Sequence, residues 1–517
     1  MYWSSLKKSL LLLTGAALAS LLFIARSSIR GIRVDWDVDT FIAISQSFLR
    51  GNQIYINFFD PKWPHVQWLF LPGAISQSLS IHLLASWFTL AGTGLAITLI
   101  ACIHNRERTT PQRNQTKIAG SLYVLLAPLL PGGSIGHLEV YSNFFMATGA
   151  CLIALGLKSD KIKRNQIATF IGSALIGTSA GIRPNLLIPL ALVTICLFLV
   201  RKSFSTGKVR FGALAAGLVT GILLPFSPYL ASVDTLNMAW IGAFGILREW
   251  NTAMYPVSTL ESFTSEVIQL LSPKTFGISF IFLFTLLFGL ILSGGSSQRR
   301  NRKVLYLLLG AWLTGLYFSY WKSHIHHHYI LMDLCGACIF LAFVERALKP
   351  ASQKLALWAT LVILAGVSLY PIRPASAGDR KVLETQDRLL EYLASNPSTT
   401  FAAPEFINLH WRRNQPVSTQ GIHPVWSINM IDSSINQSEP ARQLGLHTTI
   451  EGQCDRWLSR EVDLFIASPH LSQRCLKALE AGWEEISNVA LPNQDQSVQV
   501  FEKRNRSLTK SADSEHG

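Results

Sequence analysis

Three aspartates stand at alternate positions near the amino end of the chain, at Asp35, Asp37 and Asp39. Apolar residues follow at helical spacing between Phe41 and Phe48, which predicts a short amphipathic helix on a membrane surface. A carboxylate at such an interface can act as a general base, because partial desolvation and a nearby cation tune its proton affinity. In the alternative interpretation, Asp37 or Asp39 caps the helix and complements its dipole. The alternating acids alone do not decide between these two roles.

Further ionisable residues stand beside long apolar segments. Lys62 lies in the sequence DPKWP, where two prolines stiffen the backbone around one cation. Glu139 lies in HLEVYSNFF after a Pro-Gly-Gly turn, and Arg183 lies in GIRPN between two apolar segments. Ionisable groups at membrane depth are costly to bury, and they usually face a protein interior or a cavity. Together these residues predict a polar, water-accessible cavity at the outer leaflet, whereas each one alone also fits a snorkelling or paired structural charge.

The sequence YWKSHIHHHY holds four histidines within five positions, and it ends in His327, His328 and Tyr329. A metal site is one interpretation, but metal ligands normally come from distant points of the chain with their own supporting shell. A polar rim at the interface is favoured over a metal site. Contact with an anionic phosphate is the second interpretation, because imidazolium and the nearby Lys322 can pair with a lipid headgroup.

Aromatic residues are frequent in the segment 230–275, which includes Trp250 and Tyr255. An aromatic belt at the membrane interface is the favoured interpretation. In the alternative, sugar rings or an isoprenoid chain stack on these side chains.

The composition places all of these residues in a membrane protein. The chain of 517 residues has 45 Lys and Arg against 31 Asp and Glu, yet only 15% of its residues are charged and 49% are hydrophobic. Its mean hydropathy is +0.30. Nucleic-acid-binding proteins reach a net charge of +14 with dense Lys and Arg and few apolar runs, so this partner class is excluded.

Apolar windows of about 20 residues, the length that spans a bilayer, recur along the chain. They predict an α-helical polytopic protein with about eleven transmembrane helices. The segment Val66–Leu79 is either a twelfth span or a helix at the membrane surface. The predicted spans are Ser9–Ala25, Ile81–Ile103, Ile118–Leu130, Phe144–Leu157, Ile167–Gly181, Leu186–Val200, Phe211–Leu224, Phe276–Leu292, Val304–Tyr320, Ile330–Val344 and Leu355–Tyr370.

The distribution of charge predicts the orientation, because Lys and Arg are retained on the cytoplasmic side. With a cytoplasmic amino terminus, the inner segments carry 21 Lys and Arg against three acids. The outer loops carry nine basic and nine acidic residues, and the first of them is residues 26–65. An odd number of spans then places the carboxyl-terminal tail outside.

The tail is predicted to be a separate small α/β domain at residues 371–504, followed by a disordered end at 505–517. It contains no motif that indicates catalysis. Its two cysteines, Cys454 and Cys475, are the only ones in any outer segment. In an oxidising compartment such a pair is a disulfide candidate.

The first outer loop, with DVDTF followed by a helix ending in Gly and then DPKWP, resembles that of the GT-C glycosyltransferases. The branch it is most similar to holds the protein O-mannosyltransferases and the lipid A aminoarabinose transferase, a family 39-like group. Glu139 in HLEVYSNFF, Arg183 in GIRPN and His328-Tyr329 resemble further recurrent features. The resemblance covers residues 1–370, the predicted transmembrane domain. Trp63 interrupts the family's Lys-Pro-Pro pattern, and the second acid is Asp39 rather than a neighbour of Asp37.

The resemblance implies transfer of a sugar from a polyprenyl-phosphate donor to a glycan, lipid or protein acceptor at the outer face, with inversion. It implies an aspartate as general base: Asp37 would take the proton of the acceptor hydroxyl and Asp39 would orient the acceptor or sugar, although the position of the second acid leaves open which of the two catalytic aspartates is the base. Lys62, Arg183 and the histidine run would then bind the donor phosphate. Acceptor or sugar contacts would come from Asp35, Glu139, Trp250 and Tyr255. It implies no cofactor and no bound metal, although the residues leave a divalent metal open, and it implies a bacterial inner membrane as the location.

Two other classes of function stay open at this point. A transporter or flippase of lipid-linked envelope precursors would also place charges in an outward cavity. It would need polar residues that reach the inner leaflet, and often internal repeats, and neither is apparent in the sequence. A non-catalytic envelope assembly protein would use the tail as a binding module and would not need the acids of the first loop.

Overall fold

The structure is a computed structural model that describes most of the helical core and parts of the tail. The described residues are 2–29, 36–57, 60, 62–104, 116–130, 132–159, 161–199, 211–246, 307–316, 319, 327–344, 354, 357–362, 365, 377–395, 400–403, 407–414, 443, 462–467, 473–490 and 497–503.

The described part is mostly helical. Short 3-10 segments extend several of the helices, and a π-helical segment, Ile241–Ile246, follows one of them. The helices are α1 (Tyr2–Ile29), α2 (Trp36–Leu49), α3 (Val66–Leu69), α4 (Leu71–Ser76), α5 (Leu79–His104), α6 (Ala119–Leu126), α7 (Leu138–Leu157), α8 (Ile162–Ile182), α9 (Leu187–Leu199), α10 (Phe211–Leu223), α11 (Val233–Trp240), α12 (Leu307–Leu316), α13 (Ile330–Val344), α14 (Ala377–Ser395), α15 (Ile407–Arg412) and α16 (Gln473–Gly482).

The chain divides into two compact units. The first consists of Met1–Ile29, Leu79–Pro228 and Val257–Ile372. The second consists of Arg30–Ser78, Tyr229–Pro256 and Arg373–Gly517. The predicted domain boundary at residue 370 stays a prediction, and the second unit combines the first outer loop with residues of the tail.

The first unit contains the apolar helices. Among the described residues, four segments are long and apolar enough to cross a membrane: Leu6–Ser28, Leu79–Ile103, Leu138–Leu157 and Phe211–Ala231. Shorter apolar helices are present at Ala119–Leu129, Pro184–Leu199, Leu307–Leu316 and Ile330–Phe343. This set is compatible with a membrane protein, and the number of eleven spans stays a prediction.

The structure distinguishes between the two interpretations of the segment Val66–Leu79. It forms two short helices, α3 with four residues and α4 with six, and then enters α5 at its last residue. At a rise of about 1.5 Å per residue neither helix can cross a bilayer. Of the two alternatives, the twelfth span is therefore wrong.

Glycines allow α7, α8 and α10 to pack closely. A Cβ atom on Gly149 would lie 2.4 Å from the carbonyl oxygen of Gly172, and one on Gly221 would lie 1.9 Å from that of Ala174. Small residues let apolar helices approach until their backbones touch, which is how helices associate in lipid. The hairpin of α7 and α8 therefore brings the end of α8 back to the beginning of α7.

The second unit contains the helix that the apolar spacing between Phe41 and Phe48 predicted. This helix, α2, packs against α3, α4 and α15. Its apolar residues Phe41 and Ile44 are buried, and the polar residues Ser45 and Gln46 are buried as well. The predicted helix is present, and the third polar residue of the pattern, Arg50, is exposed at its end, so the position of this helix on a membrane surface stays a prediction.

The tail forms a four-stranded sheet from β1 (Phe401–Ala402), β2 (Leu464–Ala467), β3 (Trp483–Ala490) and β4 (Ser497–Lys503). The strand order is β1-β2-β4-β3, with β1 parallel to β2 and the other pairs antiparallel. The described residues of the tail thus contain both helices and strands, while the separate small α/β domain at 371–504 stays a prediction. Its core consists of Leu389, Leu393, Phe401, Ala403, Leu409, Leu464, Ile466 and Val500.

Candidate functional site

In the first unit, three helix ends bring charged and polar side chains together. Glu139 lies in the first turn of α7, where a negative charge complements the helix dipole. Arg183 is the residue directly after α8. His328 and Tyr329 lie in a 3-10 turn, His327–Tyr329, that leads into α13.

The carboxylate of Glu139 is the centre of this group. Its side chain is fully buried, and Oε1 forms an ion pair with Nη2 of Arg183. The other oxygen, Oε2, contacts Nδ1 of His137, and His328 Nε2 lies 3.6 Å from Oε1. Arg183 Nη2 is also 3.1 Å from His137 Nδ1. We refer to Glu139, Arg183, His137 and His328 as the Glu139 cluster.

Ring contacts complete the Glu139 cluster. The rings of His137 and His328 lie 4.2 Å apart, at an angle of 34°. The guanidinium carbon of Arg183 lies 5.4 Å from the ring centre of Tyr329, within the range of a cation–π interaction. His328 is the most exposed member, with 16% of its side chain accessible. His328 is therefore the member of the cluster that is most accessible from the surface of the protein.

A glycine turn before α7 fixes the histidines. Gly132 has a φ of +81°, a conformation that residues with a side chain rarely adopt. Its carbonyl oxygen accepts a hydrogen bond of 3.0 Å from the backbone N–H of His137. A Cβ atom at Gly132 would lie 3.0 Å from Cβ of His328 and 3.1 Å from Cβ of His137. The stacked histidine pair thus depends on the absence of a side chain at this position.

Buried hydrogen bonds hold the same helices deeper in the bundle. The amide nitrogen of Asn143 donates to the hydroxyl of Tyr123 at 3.1 Å and to the carbonyl oxygen of Leu331 at 2.8 Å. The hydroxyls of Ser142 and Ser179 lie 2.8 Å apart. These bonds connect α7 with α6, α8 and α13, so the helix ends that carry the Glu139 cluster are held in register.

The chemistry of the Glu139 cluster follows from its charges. When both imidazoles are neutral, the negative charge of Glu139 and the positive charge of Arg183 cancel. Each protonated histidine adds one positive charge, which suits an anion such as a phosphate.

A metal ion is the other ligand to consider. His137, Glu139 and His328 offer three ligand atoms within 4.8 Å of one another. The guanidinium of Arg183 already lies against Oε1 of the same carboxylate, so this donor set fits a metal only if Arg183 moves. The absence of a metal stays a prediction.

In the second unit, Asp37 and Asp39 both lie in the first turn of α2, and both are half-buried. The indole N–H of Trp411 donates a hydrogen bond of 3.0 Å to Oδ1 of Asp39. Both carboxylates therefore interact favourably with the helix dipole, whatever chemical role they also have. Asp35 lies outside the described residues.

The backbone around Lys62 is held from both sides. Its N–H donates to Oδ1 of the buried Asp60 at 2.8 Å, and its carbonyl oxygen accepts from the hydroxyl of Tyr55 at 2.7 Å. Burial raises the pKa of Tyr55 well above its usual range, so the phenol stays a donor. The indole N–H of the next residue, Trp63, donates to the carbonyl oxygen of Ala243 at 3.2 Å.

The sequence-predicted residues thus fall into two groups. The first unit brings together Glu139, Arg183, His328 and Tyr329. The second unit contains Asp37, Asp39 and Lys62. The structure describes only the backbone of His327 and Cys475, so their predicted roles are not tested. Outside the described residues lie Asp35, Trp250, Tyr255 and Cys454.

Two residues with polar contacts to these groups were missed by the sequence reasoning. His137 stands two positions before Glu139, and the HLE triplet at the start of an apolar helix was an available signal. Trp411 is separated from Asp39 by 372 residues and lies in a helix of six residues. No local sequence pattern connects it to the first loop.

No protein-family model and no curated protein matches the chain. Among solved structures, the chain is similar to the archaeal oligosaccharyltransferase AglB from Archaeoglobus fulgidus, in complex with an inhibitory peptide and a dolichol-phosphate. The identity is 14% and the TM-score 0.39, and the match covers 85% of this chain. The chain spans about three fifths of the archaeal protein, 59% of its length.

Proposed function

We propose that this chain is an integral membrane glycosyltransferase that moves a sugar from a polyprenyl-phosphate donor to an acceptor hydroxyl. The observation that carries the proposal is the Glu139 cluster, a buried carboxylate with a guanidinium and two imidazoles at the ends of apolar helices. A lipid-linked donor cannot leave the membrane, so its phosphate has to be bound at headgroup depth. The distribution of Lys and Arg predicts that the helix ends with the Glu139 cluster lie at the outer face of the membrane, at headgroup depth.

A purely structural role explains the Glu139 cluster less well. Buried ion pairs stabilise a fold little compared with apolar side chains of similar volume, because both ions lose their hydration. Four polar groups at one point of an apolar bundle are therefore costly to keep without a chemical use. In the proposal, Arg183 and His328 bind the donor phosphate, and Glu139 holds the guanidinium in position.

The reaction is a single displacement. The acceptor oxygen attacks the anomeric carbon and its proton passes to a carboxylate. The bond between that carbon and the phosphate oxygen breaks, and polyprenyl phosphate leaves with the electron pair. One displacement inverts the anomeric carbon. Arg183 and His328 stabilise the negative charge that develops on the phosphate, which is usually the largest catalytic contribution.

We assign the general base to Asp37 in the first turn of α2. General-base assistance typically contributes about 10²–10⁴-fold to the rate. Asp39 accepts the indole N–H of Trp411 and serves to orient the acceptor. The first-loop sequence from DVDTF to DPKWP supports these assignments, because it resembles the corresponding loop of the GT-C enzymes.

The proposal includes neither a cofactor nor a metal. The guanidinium of Arg183 already supplies a positive charge at the Glu139 carboxylate, so the cluster needs no metal ion for charge balance. We place the reaction at the outer face of the membrane, in line with the distribution of Lys and Arg along the sequence. The resemblance to bacterial GT-C enzymes supports a bacterial inner membrane.

Donor cleavage by the purified protein in liposomes tests the proposal. Polyprenyl-phosphate donors with a radiolabelled sugar are supplied together with envelope extracts as acceptor, and released polyprenyl phosphate is measured. We expect cleavage by the wild type, and a loss of about 100-fold in Glu139→Gln and Arg183→Ala. The control is Arg164→Ala, which removes an exposed cation of α8. Labelled donor that crosses the bilayer uncleaved would instead identify a transporter and overturn the proposal.

A further inference from the structure

The short helix α15 of the tail packs against α2, the helix that carries Asp37 and Asp39. The side chain of Trp411 is completely buried. Its indole N–H, which can only donate, is directed to Oδ1 of Asp39 at 3.0 Å. A hydrogen bond to a charged acceptor is about twice as strong as one between neutral groups. This bond therefore fixes the orientation of the Asp39 carboxylate.

Two further contacts follow the same side of α2. The amide nitrogen of Gln46 donates to the carbonyl oxygen of Trp411 at 2.9 Å, and Arg50, just after α2, donates to Oδ1 of Asn414 at 2.9 Å. Positions 39, 46 and 50 are seven and four residues apart, which places them on one helical face. The contact thus extends along the whole length of α2.

The tail core holds α15 in place in turn. The ring of His410 lies 4.8 Å from that of Phe401 in β1, and the N–H of Ala403 donates to His410 Nε2 at 3.3 Å. Arg413 donates to the carbonyl oxygen of Leu393 in α14. A continuous set of contacts therefore runs from the core of the tail through α15 to the first turn of α2.

We propose that Trp411 is a positioning residue for sugar transfer, and that the tail is part of the transferase and not a separate binding module. Trp411 fixes Asp39, and through Asp39 it fixes the helix turn that also carries Asp37. This inference rests on the proposed function. Accurate positioning of these carboxylates matters for the rate, because a displacement of about 1 Å at a catalytic group can lower a rate about 100-fold.

The direct test is Trp411→Phe, which keeps an aromatic ring and removes the N–H. We expect kcat to fall about 10-fold to 100-fold, while KM for the lipid-linked donor changes less than about twofold. If Trp411 acts through Asp39, its substitution has little further effect when Asp39 is already Ala. Equal fold-losses from Trp411→Phe in the wild-type and Asp39→Ala backgrounds would overturn the inference, because independent effects multiply.

The matched control is Trp483→Phe. This tryptophan is also buried in the tail, but it packs on Phe465. We expect its kcat to stay within about twofold of the wild type. A loss equal to that of Trp411→Phe would indicate general destabilisation of the tail and overturn a specific role.

Hydrogen exchange separates failure of the inference from failure of the proposed function, because it needs no activity. In Trp411→Phe, amides of α2 should exchange about 10-fold faster while those of α5 do not change. Asn414→Gly is a milder variant: it removes the acceptor of Arg50 and preserves a backbone with φ of +52°. It should raise exchange at the end of α2. Unchanged exchange of α2 in both variants would exclude a positioning role, whether or not the chain transfers sugar.

Discussion

Arg183 and Glu139 form a buried ion pair that joins the end of α8 to the beginning of α7. Arg183 is separated from Glu139 by almost the full length of both helices in the sequence, and the hairpin returns it to the same level. Both charges are more than nine tenths buried, so each depends on the other for compensation.

Removal of one partner of this pair should be strongly destabilising. We expect Arg183→Ala to lower the free energy of unfolding by about 3–5 kcal/mol, because the Glu139 carboxylate is left buried without its main counter-charge. The double variant Arg183→Met with Glu139→Gln should recover most of this loss. Thermal unfolding in detergent measures both. A double variant as unstable as Arg183→Ala would contradict the assigned pairing.

Gly132 should be sensitive to a single methyl group. Its φ of +81° strains any residue with a side chain, and the Cβ atoms of His137 and His328 would have to shift by a few tenths of an ångström to admit one. We expect Gly132→Ala to cost about 1–3 kcal/mol and to reduce donor cleavage, because the stacked histidines are pushed apart. Gly310→Ala is the control, since a Cβ atom there meets nothing within 4 Å. Equal effects of the two substitutions would show that the turn does not hold the histidines.

Donor cleavage should survive removal of metal ions. The positive charge at the Glu139 carboxylate comes from Arg183, so treatment with a chelator followed by desalting should leave the rate within about twofold. The control is a donor-cleaving enzyme of known metal dependence in the same buffer. A loss of activity that one divalent cation restores would identify His137, Glu139 and His328 as a metal site and correct this part of the mechanism.

Helix α11 should lie at the lipid surface. It begins two residues after the candidate span Phe211–Ala231, and its side chains Val233, Leu236 and Trp240 are exposed at helical spacing. Apolar residues arranged in this way enter the boundary between headgroups and acyl chains. An environment-sensitive fluorophore on Val233→Cys should shift to shorter wavelength in liposomes. The same label on Asp234→Cys, on another side of the helix, should shift less. Equal shifts would exclude a lipid-facing orientation.

The sequence predicted the individual elements better than their contacts. Apolar length predicted α5 and α13 within about two residues, because a long apolar helix is a local property of the chain. The cost of buried charge marked Glu139 and Arg183 as unusual for the same local reason. The partnership of Trp411 with Asp39 could not be predicted, because it depends on how the tail folds back on the first loop. The burial of Gln46 has the same origin: its partner is a backbone carbonyl of Trp411.

The most direct test of the central claim, a glycosyltransferase with a first-loop aspartate as its base, compares sugar transfer by two variants, Asp37→Asn and Asp39→Asn. Membranes that contain each variant receive polyprenyl-phosphate donors with a radiolabelled sugar, and the label that enters the acceptor fraction is counted. The two amides are nearly isosteric with the acids, so folding should be preserved. We expect Asp37→Asn to lose about 10²–10⁴-fold of the rate and Asp39→Asn to lose less. Transfer that is unaffected by both substitutions would contradict a glycosyltransferase with a first-loop aspartate as its base.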